Sequence, residues 1–269
     1  MPPATDGAMR LDALVTETRQ TFSAAGIEAA GFEARLLVGS LLDLSDTAMI
    51  AGGDREISAG DVARLRDAVS ERIGGRPVHR ILGWREFYGR RFALSPATLE
   101  PRPDTEVLVE AAIAEARSIV ERTGECLFAD LGVGTGAIGL SVLAEVPASR
   151  CIGIDASAEA VETARSNAVS LGLDDRYEVR EGDWLTGLDT VFDLILSNPP
   201  YIRSGDIASL DSDVRDYDPL AALDGGGDGL AAYRILAEQA PAYMSGRGAP
   251  AVEIGHDQKE DVTILFEDL

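Results

Sequence analysis

Apolar residues in the first part of the chain recur at three- and four-residue steps, the period of a helix with one buried face. In "MRLDALVTETRQTFSAAGI" this places Leu11, Leu14, Val15, Thr18 and Phe22 on one side. "AGFEARLLVGSLLDLS" repeats the pattern with Phe32, Leu36, Leu37, Leu41 and Leu44. "SAGDVARLRDAVSERIGG" has a Ser58 start signal and a Gly74-Gly75 stop. No catalytic cluster lies in these helices, so residues 1–83 read as a small helical domain for packing or substrate docking. "GWREFYGRRFALS" then sets aromatics around Gly89, which predicts a short hairpin or extended linker over 84–100. "EPRPDTEVLVEAAIAEARSIV" opens with two prolines and becomes a helix. Asp104 and Thr105 are its candidate N-caps, with Glu106 well placed in the first turn.

From Cys126 the pattern alternates between short apolar runs and amphipathic stretches. "CLFADLG", "RCIGIDAS", "YEVREGD", "FDLILS" and "APAVEIG" read as strands. "TGAIGLSVLAEV", "SAEAVETARSNAVSLG", "LAAYRILAEQAPAYM" and "DQKEDVTILFEDL" read as helices, the third entered through a loop "DGGGDG". This spacing predicts βαβ units and a doubly wound, mostly parallel α/β sheet over residues 101–269. Ligands in such sheets sit beyond the carboxyl ends of the strands.

Composition narrows the function classes. The chain of 269 residues is 45% hydrophobic and 26% charged, an ordinary globular balance with room for two domains. No apolar run approaches the roughly 20 residues a membrane span needs. "MPPATDGAMR" lacks a basic head followed by an apolar block, so no secretory leader is expected. Cys126 and Cys151 are the only cysteines, too few for a disulfide framework or a Cys-rich metal site. Two reduced thiols in a cytoplasmic protein are expected, with no metal. The net charge of −22 is a poor match to a long phosphate-backbone interface. One basic island stands out: "RIGGRPVHRILGWREFYGRRF", Arg72 to Phe92, holds six arginines and one acid, Glu86. Its arginines either balance neighbouring carboxylates or form a docking surface, and the first is the expectation. Nothing calls for obligate association, so a monomer is expected.

"DLGVGTGAIG", Asp130 to Gly139, joins a strand to a helix. Gly132, Gly134 and Gly136 let the backbone turn tightly and approach a ligand. The spacing suits a nicotinamide enzyme or an S-adenosylmethionine (AdoMet) enzyme. Asp155 ends the next strand, where an acid can accept from both ribose hydroxyls. Its other role, a helix N-cap, can be filled by Ser157. Asp183 and Trp184 end the third strand, where a carboxylate can accept from the adenine amino group and an indole can cover the ring.

"SNPPY", Ser197 to Tyr201, follows the fourth strand and chooses between the cofactors. Two prolines cannot continue a central strand, because each lacks a ladder N–H. Asn198 can accept one hydrogen of an NH2 group through its side-chain oxygen, and the Pro199 carbonyl the other. With both held, the nitrogen lone pair can be aimed at a methyl carbon, which is catalysis mainly by orientation. Tyr201 can pack against the planar group that bears the nitrogen. The substrate nitrogen is then an exocyclic base amine or a carboxamide, and no strong general base is required. His79 and His256 read as structural, with His256 near enough to a strand end to line the crevice.

These residues resemble the bacterial release-factor glutamine methyltransferases, a Rossmann-like family. The likeness includes "AAGIEAAGFEARLLVGSLL", "GRPVHRILGWREFYGRRFALSPATLEPRPDTEVLVE", "DLGVGTGAIGL", "SNPPYI", "DVRDYDPLAALDGGGDGL" and "EIG". "PRPDTE" is far more specific to that family than "NPPY", which amine-methylating DNA and RNA enzymes share. The resemblance implies methyl transfer from AdoMet to the glutamine side-chain amide in the Gly-Gly-Gln motif of class I peptide chain release factors. It implies cofactor contacts at Gly132, Val133, Gly134, Thr135, Gly136, Asp155 and Trp184, with Asp183 adjacent and Asn198 at the methyl end. It implies catalytic and substrate contacts at Asn198, Pro199, Pro200 and Tyr201, and release-factor docking by the helical domain. Val133 stands where the family more often has Thr, and "SGRGAPAVEIG" is less apolar than the usual lead into the fifth strand. The resemblance also implies a final strand pair of roughly 10–20 residues after the helix in which Leu269 falls. The runner-up activity is amine methylation of adenine or guanine in DNA or RNA. A nicotinamide dehydrogenase and a non-catalytic AdoMet-binding partner of release factors are the readings from other classes.

Overall fold

The computed structural model describes residues 7–267, and the leader reading over residues 1–6 and the last two residues of the final predicted helix lie outside it. The chain divides into two compact units, one ending at Gly83 and one beginning at Trp84.

In the first unit a short antiparallel pair, β1 (Met9–Arg10) with β2 (Glu56–Ile57), brackets helices α1 (Leu11–Ala24), α2 (Ala30–Leu41) and α3 (Asp46–Ala51); α4 (Ala59–Ile73) and α5 (Val78–Leu82) follow. Helix α1 buries Leu11, Leu14, Thr18 and Phe22, as its period predicts. Thr18 satisfies its hydroxyl in the core by donating to the Leu14 carbonyl at 2.9 Å. Ser58 caps α4 by accepting from Asp61 N, and Gly74 ends it. Helix α2 departs from expectation: it buries Ala30, Ala34, Leu37 and Val38 and leaves Phe32 60% exposed. The two alanines lie on the same stripe as Leu37, so the small side chains face the core and Phe32, half a turn away, faces out. Leu36, Leu41 and Leu44 are only partly buried against this core.

The second unit opens with a hairpin, β3 (Trp84–Phe87) and β4 (Arg90–Ala93), so the expected linker over 84–100 belongs to this unit. Tyr88 and Gly89 both have positive φ, 49° and 70°, which suits the twist of a two-residue hairpin turn. Phe87 and Phe92 meet edge to face at 6.2 Å and are buried in the main core. Helix α6 (Glu106–Thr123) leads to β5 (Cys126–Leu131), α7 (Ala137–Glu145), β6 (Ser149–Asp155), α8 (Ala158–Leu171) and β7 (Tyr177–Glu181). Then come β8 (Phe192–Ser197), the one-turn α9 (Ser212–Arg215), α10 (Ala231–Tyr243), β9 (Met244–Val252) and α11 (Lys259–Phe266). Ser157 caps α8, as its place predicts. Neither Asp104 nor Thr105 caps α6 with its side chain, because a 3-10 turn at Pro103–Thr105 precedes the helix and turns Thr105 elsewhere.

Five strands form one sheet in the order β7-β6-β5-β8-β9, every pair parallel. Alternate residues of β5 face opposite cores: Cys126 and Phe128 join α6, α7 and α8, while Ala129 and Leu131 join α10. The sheet is thus doubly wound. Pairing of β8 with β9 jumps from Phe192–Met244 to Leu194–Ala249, so the polar lead into β9 bulges out of the ladder.

Asp130 is fully buried at the end of β5. One oxygen accepts from Gly139 N at 2.9 Å and the other has no partner among the described residues. Burial pushes its pKa up to about 7, against the pull of the Gly139 bond. The folded state therefore keeps a proton that the unfolded chain releases. The corresponding stability is full below the ordinary value of 3.8 and falls as pH rises to about 7. Asp130→Asn cannot titrate. Denaturant midpoints taken across that window should fall more steeply for the wild type than for the variant, and parallel curves would remove the assignment.

Candidate functional site

Strands β5 and β8 are neighbours, but the chain winds to opposite sides of the sheet from them. The crevice at their carboxyl ends is the switch point where an open α/β sheet binds ligands. The Gly132–Gly136 loop fills its floor. Gly132, Gly134 and Gly136 have φ of 73°, 52° and 78°, in the left-handed region that L side chains avoid. Gly132 N donates to the Ile154 carbonyl at 2.8 Å, and Gly136 N to the Val133 carbonyl at 2.7 Å. Asp155 accepts from Gly134 N and from Ser157 N, both at 2.9 Å, one on each oxygen. The loop and the next strand end are therefore locked together, and each carboxylate oxygen keeps a free lone pair.

Asn167 was not singled out by the sequence. From α8 it donates to the Thr135 carbonyl at 2.9 Å and exchanges two hydrogen bonds with the Ala93 backbone. It ties the hairpin to the glycine loop. Tyr177 reaches under the same loop: a Cβ on Gly153 would stand 2.8 Å from both its hydroxyl and Val133 Cγ1. Beyond β7, Trp184 holds a φ of 52°, a strained conformation for a bulky residue. Leu185 N donates to Gln239 Oε1 at 3.0 Å and Gly182 N to the Asp155 carbonyl at 2.9 Å, which fix the turn.

The Asn-Pro-Pro-Tyr turn leaves β8 beside these groups. Ser197 Oγ donates to the Leu131 carbonyl at 2.8 Å, pinning the ends of β8 and β5. The "DGGGDG" loop packs against the turn: a Cβ on Gly225 would stand 2.8 Å from the Pro200 carbonyl, and one on Gly229 would collide with that of Tyr201. Gln258 Nε2 donates to the Tyr201 carbonyl at 3.0 Å. Asn198 Nδ2 donates to Thr105 Oγ1 at 3.2 Å. Burial raises the pKa of Glu253, and the neighbouring Thr105 and Asn198 side chains pull against that shift. Burial also raises the pKa of Tyr201, with the Glu253 charge adding to it.

A cleft of about 390 Å³ gathers Gly132, Val133, Gly134, Thr135, Asp155, Asp183, Trp184, Asn198 and Pro200. Phe87 and Leu99 close its apolar side, and Arg102 is the one basic residue lining it among the described residues. Arg102 pairs with buried Asp218 at 2.5 Å. Gly136 and Pro199, both named from the sequence, are not among the residues that line the cleft, and Pro199 is buried. Tyr201 lies in a neighbouring cavity with Asp104, Glu253 and His256. The basic island is largely paired: Arg72 with Glu33, Arg76 with Glu71, Arg85 with Glu100, Arg90 with Glu145, and Arg91 over the Trp84 ring. No helix among the described residues is long and apolar enough to cross a membrane.

Residues 13–83 match the PrmC N-terminal domain and residues 104–211 the methyltransferase small domain. The release factor glutamine methyltransferase of Agrobacterium fabrum is 44% identical over 260 residues, 97% of this chain and 90% of its own length. That of Rhodospirillum rubrum is 43% identical over 98% of this chain and 80% of its own, and that of Nitratidesulfovibrio vulgaris 34% over 99% and 89%. Among solved structures, the hMettl16 catalytic domain in complex with MAT2A 3′UTR hairpin 6 shares the fold, with a TM-score of 0.52 over 79% of this chain and 76% of that one at 14% identity. With both family models matched and relatives of this identity running along nearly its whole length, the chain belongs to the release factor glutamine methyltransferase family.

Proposed function

We propose that the protein transfers a methyl group from S-adenosyl-L-methionine to the side-chain amide nitrogen of the glutamine in the Gly-Gly-Gln motif of class I release factors, in the cytoplasm. The observation that carries this reading is the orientation of Asn198. Its NH2 end is committed to Thr105, so its carbonyl oxygen is the end left for a substrate NH2. The family to which the chain belongs narrows that NH2 to a glutamine amide.

The cleft suits the cofactor. Three positive-φ glycines give bare backbone where an amino-acid moiety would lie, and the lining pairs apolar walls with a few placed polar groups. Asp155 has capacity left for ribose hydroxyls, and Asp183 with Trp184 stands at the adenine end. Arg102, as the one cation among the described lining residues, suits the methionine carboxylate. When bound, AdoMet supplies an electrophilic methyl on a sulfonium.

The protein's own work is orientation. Asn198 Oδ1 and the Pro199 carbonyl accept the two N–H groups of the substrate amide, aiming the nitrogen at the cleft. Positive charge builds on nitrogen as the N–C bond forms, and both acceptors favour it. As the N–C bond forms and the bond from sulfur to the methyl breaks, nitrogen gives up one proton to solvent, and the two acceptors only orient it. Tyr201, in the neighbouring cavity, is the aromatic wall for the planar amide as it enters from that side. The paired arginines support a protein substrate over a phosphate backbone, which needs cations free to displace counterions.

Incubation with AdoMet and a class I release factor should add one methyl to the motif glutamine, read by mass spectrometry. Asn198→Ala should lower kcat by about 100-fold or more, the usual effect of losing one preorganised charge-stabilising contact. Label on DNA or RNA alone would overturn the reading. Arg102→Ala should weaken S-adenosylhomocysteine in calorimetry by about 10-fold or more while leaving 5′-methylthioadenosine, which lacks the amino-acid end, unchanged. Equal loss for both ligands would assign Arg102 to the fold instead.

A further inference from the structure

Within "PRPDTE" and "EIG", Thr105 and Glu253 contact neither cofactor nor substrate in the chemistry above, yet the fold brings both beside Asn198. Thr105 stands at the end of the 3-10 turn before α6, and Glu253 just beyond the last residue of β9. We infer that Thr105 and Glu253 are positioning residues that hold the Asn198 amide in one flip state, and that this backing is what requires an asparagine rather than an aspartate at position 198. The inference rests on the reading of Asn198 as the substrate acceptor and deepens it.

An Asn amide is nearly symmetric in shape and opposite in chemistry at its two ends. Turned over, it would present a donor to a substrate NH2 and repel it. The flip state is set by what lies behind. Thr105 Oγ1 accepts from Asn198 Nδ2 at 3.2 Å. Glu253 follows Val252, the cross-strand partner of Ser197, so it stands beside Asn198. A hydroxyl has one proton to give, and in this inference the neighbouring Glu253 carboxylate is the acceptor that draws it, leaving Thr105 Oγ1 to accept from Asn198. An ionised carboxylate has no donor, so this backing tolerates the NH2 end of Asn198 and rejects its oxygen.

Glu253 is itself held in place. Its carbonyl accepts from buried Tyr233 Oη at 2.8 Å, and Glu253 N donates to the Ser197 carbonyl at 3.0 Å, one residue before Asn198. Its Oε2 is buried without a hydrogen-bond partner among the described residues. A carboxylate in so costly a place would be replaced by an apolar side chain if packing were its only role. An aspartate in place of Asn198 would set two carboxylates against one another across the same hydroxyl, and like charges that close resist joint ionisation.

The test compares single and paired variants with two readouts. Thr105→Val keeps the shape and removes the hydroxyl. It should lower kcat by about 10- to 100-fold, the range for a hydrogen bond within a charged network, with S-adenosylhomocysteine affinity and melting temperature unchanged. Thr105→Ser should restore most of the rate. Asn198→Asp should be nearly inactive. Adding Glu253→Gln to it should recover at least about tenfold, because the new glutamine amide can donate to the new carboxylate and no second charge opposes it. The side-chain 15N–1H signals of Asn198 should be slowly exchanging in the wild type and lose that protection in Thr105→Val. A Thr105→Val rate within twofold of wild type, or a double variant no faster than Asn198→Asp, would overturn the inference. If the wild type methylates no release factor, the proposed function fails, while the Asn198 amide signals still decide whether Thr105 holds the amide.

Discussion

Strands β5 and β8 lie side by side in parallel, yet the chain leaves β5 to wind outward through β6 and β7 before it returns. No loop can therefore join their carboxyl ends, and a crevice opens between two turns that share no sequence. The rest of the site is a consequence of managing that gap. Ser197 closes its base by donating to the Leu131 carbonyl, and the residues just beyond each strand end supply the two working surfaces. Gly132 to Gly136 offer backbone without bulky walls at the glycines, and Asn198 to Tyr201 offer acceptors with few backbone donors.

A turn with two prolines has few N–H groups to anchor it, so it is fixed from outside through its carbonyls and flanks. Gln258 donates to the Tyr201 carbonyl, Ile202 N to the Leu223 carbonyl, and Gly225 N to the Ile202 carbonyl. These bonds require the "DGGGDG" backbone to press against the turn more closely than any Cβ allows. Gly225 there is a spacer for contact with a rigid neighbour and Gly229 combines that role with a positive φ, whereas Gly132 and Gly134 have open space around them and are needed for their positive φ alone. The same residue type answers two different constraints within one site.

The strands were legible in the sequence because buried parallel strands are short apolar runs, and each such run became a strand. Asp155, Asp183 and Trp184 were legible because strand ends in this architecture point at the crevice. The buried face of α2 was not, because hydrophobicity alone ranks Phe32 above Ala30 and Ala34. Close packing ranks them the other way. The polar scaffold was not legible either. Asn167 meets Ala93 and Thr135, and Thr105 meets Asn198, across long separations in the chain. A helix-start signal of Thr and Glu looks the same whether the hydroxyl caps its own helix or receives an amide from another strand.

Charge separates the candidate substrates. At −22 the chain repels polyanions at long range, and the basic island does not offset this, because four of its six arginines pair with Glu33, Glu71, Glu100 and Glu145 and Arg91 lies over the Trp84 ring. A carboxamide is neutral and carries no counterions, so its recognition needs hydrogen-bond acceptors and shape rather than cations. In the proposed reading those come from Asn198 and a proline carbonyl, whose partly buried neighbours salt screens little. An acidic methyltransferase whose arginines are engaged in its own fold is thus consistent with the proposed chemistry, in which Arg102, the one cation among the described residues lining the cleft, would meet the methionine carboxylate and Asn198 a neutral amide.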